Sequence, residues 1–283
     1  MTPATPLQTR ARRSKFSNQT LLITVGAEKV PFHVHVGLLE ETSFFDVHGR
    51  LPGLERTPIT SPERDQTLSP APNYIPVKRE EGTRDDYGTG KQAVDQPVDT
   101  APLPTYLLEG SVYTAAAFGI VVDALYNIAP PAPDSRAECR TVLRSYVLAL
   151  TYHIVPLQDA IVDCFRQHHQ QFNVVFEDLT WLINRIGDGE EIHSIPMVRY
   201  LIDQCAWEIY SQGYNSFVQH NVFFERFLSF GDHPVRRALF EAIAQVSRTP
   251  IDPAAGLNRY TVNACIVREP AAVHMPEVIE LDD

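Results

Sequence analysis

Apolar and polar residues near the start of the chain follow a pattern typical of two short strands and a helix. Residues 20–25 are apolar and β-branched, which favours a strand. Gly26 opens a four-residue turn, because glycine adopts positive φ without steric cost. Residues 30–33 form a second extended run, and Pro31 predicts an irregular or edge strand because proline has no N–H to donate. A helix over residues 34–45 follows, with apolar residues roughly on one face.

From residue 112 onward, apolar residues recur at steps of three and four, which predicts a series of helices. The predicted helices cover residues 112–128, 141–153, 156–169, 176–186, 194–213, 222–230 and 234–246. Gly213 is expected just after a helix end and Asp232 at the N-cap of the last helix. Residues 258–267 fit either a short strand or a docked strap.

Between these blocks, residues 49–104 have no apolar periodicity and are rich in proline and charged residues. This composition predicts a disordered insertion, because such a segment cannot bury enough apolar surface to offset its lost conformational entropy. Two short stretches are alternatives for one further strand before the helix at Val112. Residues 74–77 form an apolar island within the insertion, whereas residues 103–108 follow it, and the second stretch is favoured.

The order of residue types in the first block resembles the core signature of BTB/POZ domains. The matching positions are Phe32, Val34, His35, Leu38 or Leu39, Ser43 and Phe45. Residues 16–21 resemble the family's entry into its first strand, and residues 146–160 resemble its C-terminal helical hairpin. Tyr126 resembles the end of the family's middle helix, although the usual glycine after it is missing. The chain is most similar to the divergent members common in filamentous fungi.

The resemblance implies an α+β fold, in which a small sheet with flanking helices forms a BTB/POZ-like core and an all-helical C-terminal extension follows. The predicted parts are a disordered basic N-terminus (1–15), the first part of the core (16–48), the disordered Pro-rich insertion (49–104), the second part of the core (105–170), the helical extension (171–268) and an acidic tail (269–283).

Two departures from the family affect the expected assembly. Asn18 replaces the usual Asp, and Val36 replaces the usual Lys or Arg. The resemblance links those two charges to the homodimer interface, so we expect the purified chain to self-associate weakly or not at all. Phe44 stands where the family commonly has proline, and it is either an exposed anchor or a packed residue. By resemblance, the partner-binding residues are Val36, Phe44 and Phe45, together with the region before the helix at Val112.

The family implies a non-enzymatic protein–protein interaction module that mediates self-association or adaptor binding. One alternative is a substrate adaptor of a cullin-type ubiquitin ligase, although the insertion replaces the family's cullin-contact region. Another is a nuclear regulatory factor without its own DNA-binding domain, which a basic N-terminal run would suit. That run comprises Arg10, Arg12, Arg13 and Lys15. A solvated tail explains the same run more simply.

Composition narrows the class of protein further. The chain has 283 residues, 44% of them hydrophobic, which is enough for a substantial core. Its net charge of −11 argues against nucleic acid as a partner. The sequence has no run of about 18 apolar residues and no signal-peptide core, so we expect an intracellular protein, cytoplasmic or nuclear. The four cysteines form no Cys-x-x-Cys pair, and Cys164 and Cys205 fit small buried residues.

No motif in the sequence predicts catalytic, cofactor-binding or metal-binding residues, and none points to a small-molecule ligand. His33 and His35 lie two residues apart, but no further ligand is near them in sequence. The insertion carries possible modification sites. Lys78 lies in an apolar-Lys-x-acid pattern typical of SUMO acceptors, and Ser61 and Ser69 each precede a proline. These residues also fit an unmodified, solvated linker.

Overall fold

The computed structural model describes residues 19–51, 54, 105–187, 189, 191–229 and 234–263. Over these residues the fold is mixed α+β. The strands are β1 (Thr20–Val25), β2 (Val30–His35) and β3 (Thr105–Leu108). The helices are α1 (Val36–Leu39), α2 (Phe44–His48), α3 (Ala115–Leu125), α4 (Arg136–Thr151), α5 (Val155–His169), α6 (Phe176–Ile186), α7 (Pro196–Gln212), α8 (Tyr214–His220), α9 (Phe224–Ser229) and α10 (Pro234–Arg248), with a 3-10 turn at Ile192–Ser194.

Contacts divide the chain into two compact units. One unit comprises residues 1–50 and 105–283, and the other comprises residues 51–104. The described core and extension helices therefore belong to the same unit. In the second unit the structure describes Leu51 and Leu54, where the Leu54 N–H donates to the Leu51 carbonyl at 3.2 Å.

The sheet has the strand order β2-β1-β3, with β2 antiparallel and β3 parallel to the central β1. Leu21, Ile23 and Val25 alternate along β1 and are fully buried, as a strand with one buried face requires. Gly26 has φ +75°, and its N–H donates to the Leu108 carbonyl at 2.9 Å. A side chain at Gly26 would press on the Tyr113 carbonyl, so this turn needs glycine.

The single helix predicted over residues 34–45 is wrong. β2 continues to His35, and two short helices follow, separated by residues 40–43. The Thr42 hydroxyl donates to the Leu39 carbonyl at 2.8 Å and accepts from the Phe44 N–H at 3.1 Å. The Ser43 N–H donates to the Tyr152 carbonyl at 2.9 Å. These side-chain and tertiary bonds replace the helical ladder between α1 and α2.

Helices α3, α4 and α5 pack in sequence order and carry much of the core. α3 begins at Ala115 rather than near residue 112, because Thr114 caps it by accepting from the Ala117 N–H at 3.3 Å. α4 begins five residues before its predicted start, because Ser135 caps it through the Glu138 N–H. α5 has Pro156 in its first turn, as predicted. The favoured strand at residues 103–108 is confirmed as β3, whereas residues 74–77 lie outside the described residues.

The C-terminal extension packs around α7, which contacts α5, α6, α8 and α10. Gly213 ends α7 with φ +89°, as predicted, and α8 begins directly after it. Helix α8 was not predicted, and α9 is shorter than its predicted range. Asp232, the predicted N-cap of α10, lies outside the described residues.

The segment after α10, residues 249–263, is defined here as the strap. It contains no strand where it is described, so the strand alternative for residues 258–263 is wrong and the docked alternative is correct. Arg166 on α5 donates to the carbonyls of Pro253, Ala255 and Gly256 at 2.8–3.2 Å. The Val262 N–H donates to the Asp159 carboxylate at 2.8 Å. The strap is therefore held to α5 at residues 253–256 and again at Val262.

None of the helices in the described part of the chain combines the length and the apolar character that a bilayer crossing requires.

Candidate partner-binding sites

The partner-binding residues predicted from the sequence lie on α1 and α2, and the structure buries two of them. Val36 is 3% exposed and Phe44 is 1% exposed, whereas Phe45 is half-buried. For Phe44, the packed alternative is therefore correct and the exposed anchor is wrong. Neither Val36 nor Phe44 can reach a partner without rearrangement of the fold.

Phe44 lies at the centre of an aromatic cluster that joins α2, β3 and the end of α4. Its ring centroid lies 4.7 Å from that of His48, 5.2 Å from Tyr106 and 5.5 Å from Tyr152. The His48 Nε2 lies 2.9 Å from the Tyr152 hydroxyl. Burial lowers the pKa of His48 and raises the pKa of Tyr152, so both side chains stay neutral near pH 7. The cluster is packed core.

The same cluster also holds together the residues just before residue 51 and the strand β3 that follows residue 104. The Tyr106 hydroxyl donates to the Gly49 carbonyl. The Arg50 guanidinium lies 4.5 Å from the centroid of the Phe45 ring and forms an ion pair with Glu40 at 2.9 Å. Phe45 is thus covered on one face by Arg50.

Large apolar side chains remain exposed beside these packed residues in the sequence. Val47 on α2 is 48% exposed, and Leu107 on β3 is 53% exposed. Val47 was not singled out by the sequence, because burial of its neighbours is a tertiary property. Because it is exposed, Val47 is a better candidate for contact with a partner protein than Val36 or Phe44.

Hydrogen bonds of His35 and His153 are among those that connect the part of the chain before residue 51 with the part after residue 104. His35 Nδ1 lies 2.7 Å from the Tyr126 hydroxyl, so His35 hydrogen-bonds within the fold. The Ser43 hydroxyl lies 2.6 Å from His153 Nδ1. His33 is exposed, and over the described ranges no group of three His, Cys, Asp or Glu side chains is arranged to hold a metal ion.

A large groove in the extension is the second candidate site, and sequence reasoning missed it. It has a volume of about 1220 Å³ and lies among α7, α10, the 3-10 turn and the strap, defined here as the helical groove. Its apolar lining includes Ile195, Ile202 and Val246. No single motif marks such a groove, because its walls come from elements far apart in sequence.

Most charged groups along the helical groove have partners. The Tyr260 hydroxyl donates to the Asp203 carboxylate at 2.8 Å, and Arg259 lies 3.5 Å from the same carboxylate. Burial nevertheless raises the pKa of Asp203. Glu241 forms an ion pair with Arg237 at 3.1 Å. The charge of this wall is therefore largely neutralised within the chain.

A smaller cavity of about 270 Å³ is lined in part by Cys139 and His168. Because a carbonyl can only accept, His168 Nδ1 donates to the Pro133 carbonyl at 2.8 Å, and the Cys139 sulfur lies 3.5 Å from His168 Nε2. Burial raises the pKa of Cys139 to about 11, so the group is a neutral thiol near pH 7. Cys164 and Cys205 are also buried free thiols, as predicted.

The predicted modification sites Lys78, Ser61 and Ser69 lie outside the described residues, as does Asn18. In comparisons with known proteins, no family model, no curated protein and no solved structure matches the chain.

Proposed function

We propose that this chain is a non-enzymatic protein–protein interaction module of the BTB/POZ type. The order of its elements supports this assignment. A strand hairpin, two short helices, a third strand, a middle helix and a helical hairpin follow one another as the resemblance implies. The family assignment itself rests on the sequence signature together with this order.

One observation carries the proposal: the two sequence pieces that resemble the family fold into one unit. β3 pairs in parallel with β1 across the insertion, with Leu22 opposite Thr105 and Val25 opposite Leu108. The His35–Tyr126 hydrogen bond then joins the signature of the first piece with the signature of the second. Residues matched independently in two places are thus direct neighbours.

Association with proteins suits this geometry better than catalysis does. The described surface of α2 and β3 presents apolar side chains at Val47 and Leu107, and such side chains gain free energy when a partner covers them. The substitutions Asn18 and Val36 favour binding of a different protein over a tight homodimer. A cullin scaffold is the specific partner class that the resemblance supplies.

The experiment is affinity purification of the tagged full-length chain from its native cells, followed by quantitative mass spectrometry. Three forms are compared: wild type, Val47→Arg and Phe240→Arg. Phe240 on α10 is a matched control, because it is 54% exposed and lies on the extension. The proposal expects a stoichiometric partner that Val47→Arg loses and Phe240→Arg retains. A cullin among such partners would make the chain a ligase adaptor.

Recovery of the same partners with all three forms would contradict a role for the α2 surface. Absence of any stoichiometric partner would contradict the interaction module as a whole.

A further inference from the structure

We propose that residues 264–283, defined here as the terminal segment, dock in the helical groove of the same molecule. The occupant is thus part of the chain itself, and the contact is intramolecular. This inference does not depend on the BTB/POZ assignment, because it rests on the lining of the groove and on the contacts of the strap.

The path of the strap leads the chain to the groove. Ile251, Pro253 and Val262 of the strap line the groove, and the bond from the Val262 N–H to Asp159 fixes its last part. The described chain continues only to Asn263. The terminal segment therefore begins at the margin of the groove, which gives it a high effective concentration there.

The length of the terminal segment allows its far part to lie anywhere along the groove. Residues 264–277 can span up to about 46 Å when extended. Helix α7, which forms one wall, has 17 residues and is about 26 Å long. The length of residues 264–277 therefore lets any part of residues 278–283 enter the groove.

The chemistry of residues 278–283 complements the groove. The sequence Val-Ile-Glu-Leu-Asp-Asp places apolar residues directly before two acids. In an extended segment, residues two apart share a face, so Ile279 and Leu281 would face the apolar lining together. Burying such side chains supplies the main driving force.

A cation in the groove is available for the acids that follow. Arg199 is half-buried and lines the groove, and its guanidinium forms no ion pair with another described residue. The acids Asp203 and Glu241 already have partners, which leaves the exposed Glu191 as the remaining repulsive group on this lining. Asp282 or Asp283 would pair with Arg199 and set the direction of the segment.

Site-specific photo-crosslinking of the full-length chain tests this contact. The photoreactive residue p-benzoylphenylalanine replaces Ile279, which keeps the position apolar. We expect a crosslinked product of monomer mass, with the attachment in peptides covering residues 191–203 or 238–253. Adding Leu281→Asp should lower the yield about tenfold, the change expected when one buried aliphatic contact is lost. Ala271→Asp serves as the control and should leave the yield unchanged.

A second pair of variants changes the wall of the groove instead of its occupant, and both substitutions lie on α10. Ala242 lines the groove and Ala244 is exposed outside its lining. Ala242→Arg should lower the crosslink yield, and Ala244→Arg should not. Equal yields for both would overturn the proposal, as would attachment elsewhere in the chain, a product only between two copies, or no product at all.

Discussion

Phe44 shows how a single residue can connect the two halves of the core. It lies on α2, but its ring packs against Tyr106 of β3 and Tyr152 at the end of α4. We expect Phe44→Ala to lower the free energy of unfolding by about 3–5 kcal/mol, because it leaves a cavity in packed core. Urea unfolding followed by far-UV circular dichroism measures this change.

Val47→Ala on the same helix is the matched control. Since Val47 is largely exposed, its truncation should change the free energy of unfolding by less than about 0.5 kcal/mol. Similar losses for the two variants would mean that Phe44 does not pack as described.

Glu208 is a second residue whose role comes from its surroundings. Its carboxylate accepts from the Val174 N–H at 2.7 Å and from the Gln204 amide at 3.3 Å. Burial is the main cause that raises its pKa from 4.5 to about 7. The folded state therefore holds this proton at pH values where the unfolded state has lost it. Stability from this group is present below pH 4.5 and is lost as the pH rises towards 7.

Glu208→Gln should remove this pH dependence, because glutamine keeps the acceptor oxygen and carries no charge. Near pH 4.5 the variant and the wild type should be equally stable. At pH 8 the variant should be more stable by up to about 3 kcal/mol, as measured by urea unfolding at both pH values. Burial lowers the pKa of His169 to about 3. The resulting loss of stability in acid is the same in the variant and the wild type, so it cancels from their comparison. The exposed Glu241→Gln is the control, and an equal gain there would contradict the role of burial.

At the scale of elements, the sequence predicted those helices whose ends carry local signals. Pro156 marks the first turn of α5, and Gly213 marks the end of α7. The break between α1 and α2 escaped prediction because it depends on a bond to Tyr152, which is distant in sequence. α8 was missed because the glycine that ends one helix also begins the next. The helical groove could not be predicted, because no local sequence pattern indicates which distant elements will pack around a cavity.

The strap is an element held in place in part by one buried side chain, Arg166. The Arg166 guanidinium binds three strap carbonyls and forms an ion pair with Asp163 at 3.0 Å. Arg166→Met should lower the free energy of unfolding by about 2–4 kcal/mol, because buried charge-assisted hydrogen bonds are lost. Limited proteolysis should cut within residues 249–263 faster than in the wild type.

Arg237→Met is the control for that variant. Arg237 is highly exposed on α10 and, among the described residues, forms only an ion pair along its own helix, so its removal should leave both stability and cleavage nearly unchanged. Faster cleavage of the strap in both variants would mean that Arg166 does not fasten it.

At the scale of the whole molecule, the core and the extension behave as parts of one unit. The Tyr146 hydroxyl of α4 accepts from the Met197 N–H of α7 at 3.2 Å, and both residues are fully buried. The boundary expected at residue 170 is thus crossed by core contacts. Sequence reasoning separated the two parts because the family resemblance ends there, whereas packing continues.

The expected assembly state rests on the BTB/POZ resemblance and on the residues that stand where members of that family carry charges. Val36 is apolar and 3% exposed, so it supplies neither a charge nor an accessible surface for a second copy. We expect light scattering after size exclusion to give a mass near 31.8 kDa at loading concentrations from roughly 1 to 100 µM, because a stable dimer would need well over 1,000 Å² of complementary interface. A dimer that persists across this range would contradict the expectation. Val36 could not be its cause, and the exposed apolar side chains of α2 and β3 would then be the first surface to substitute.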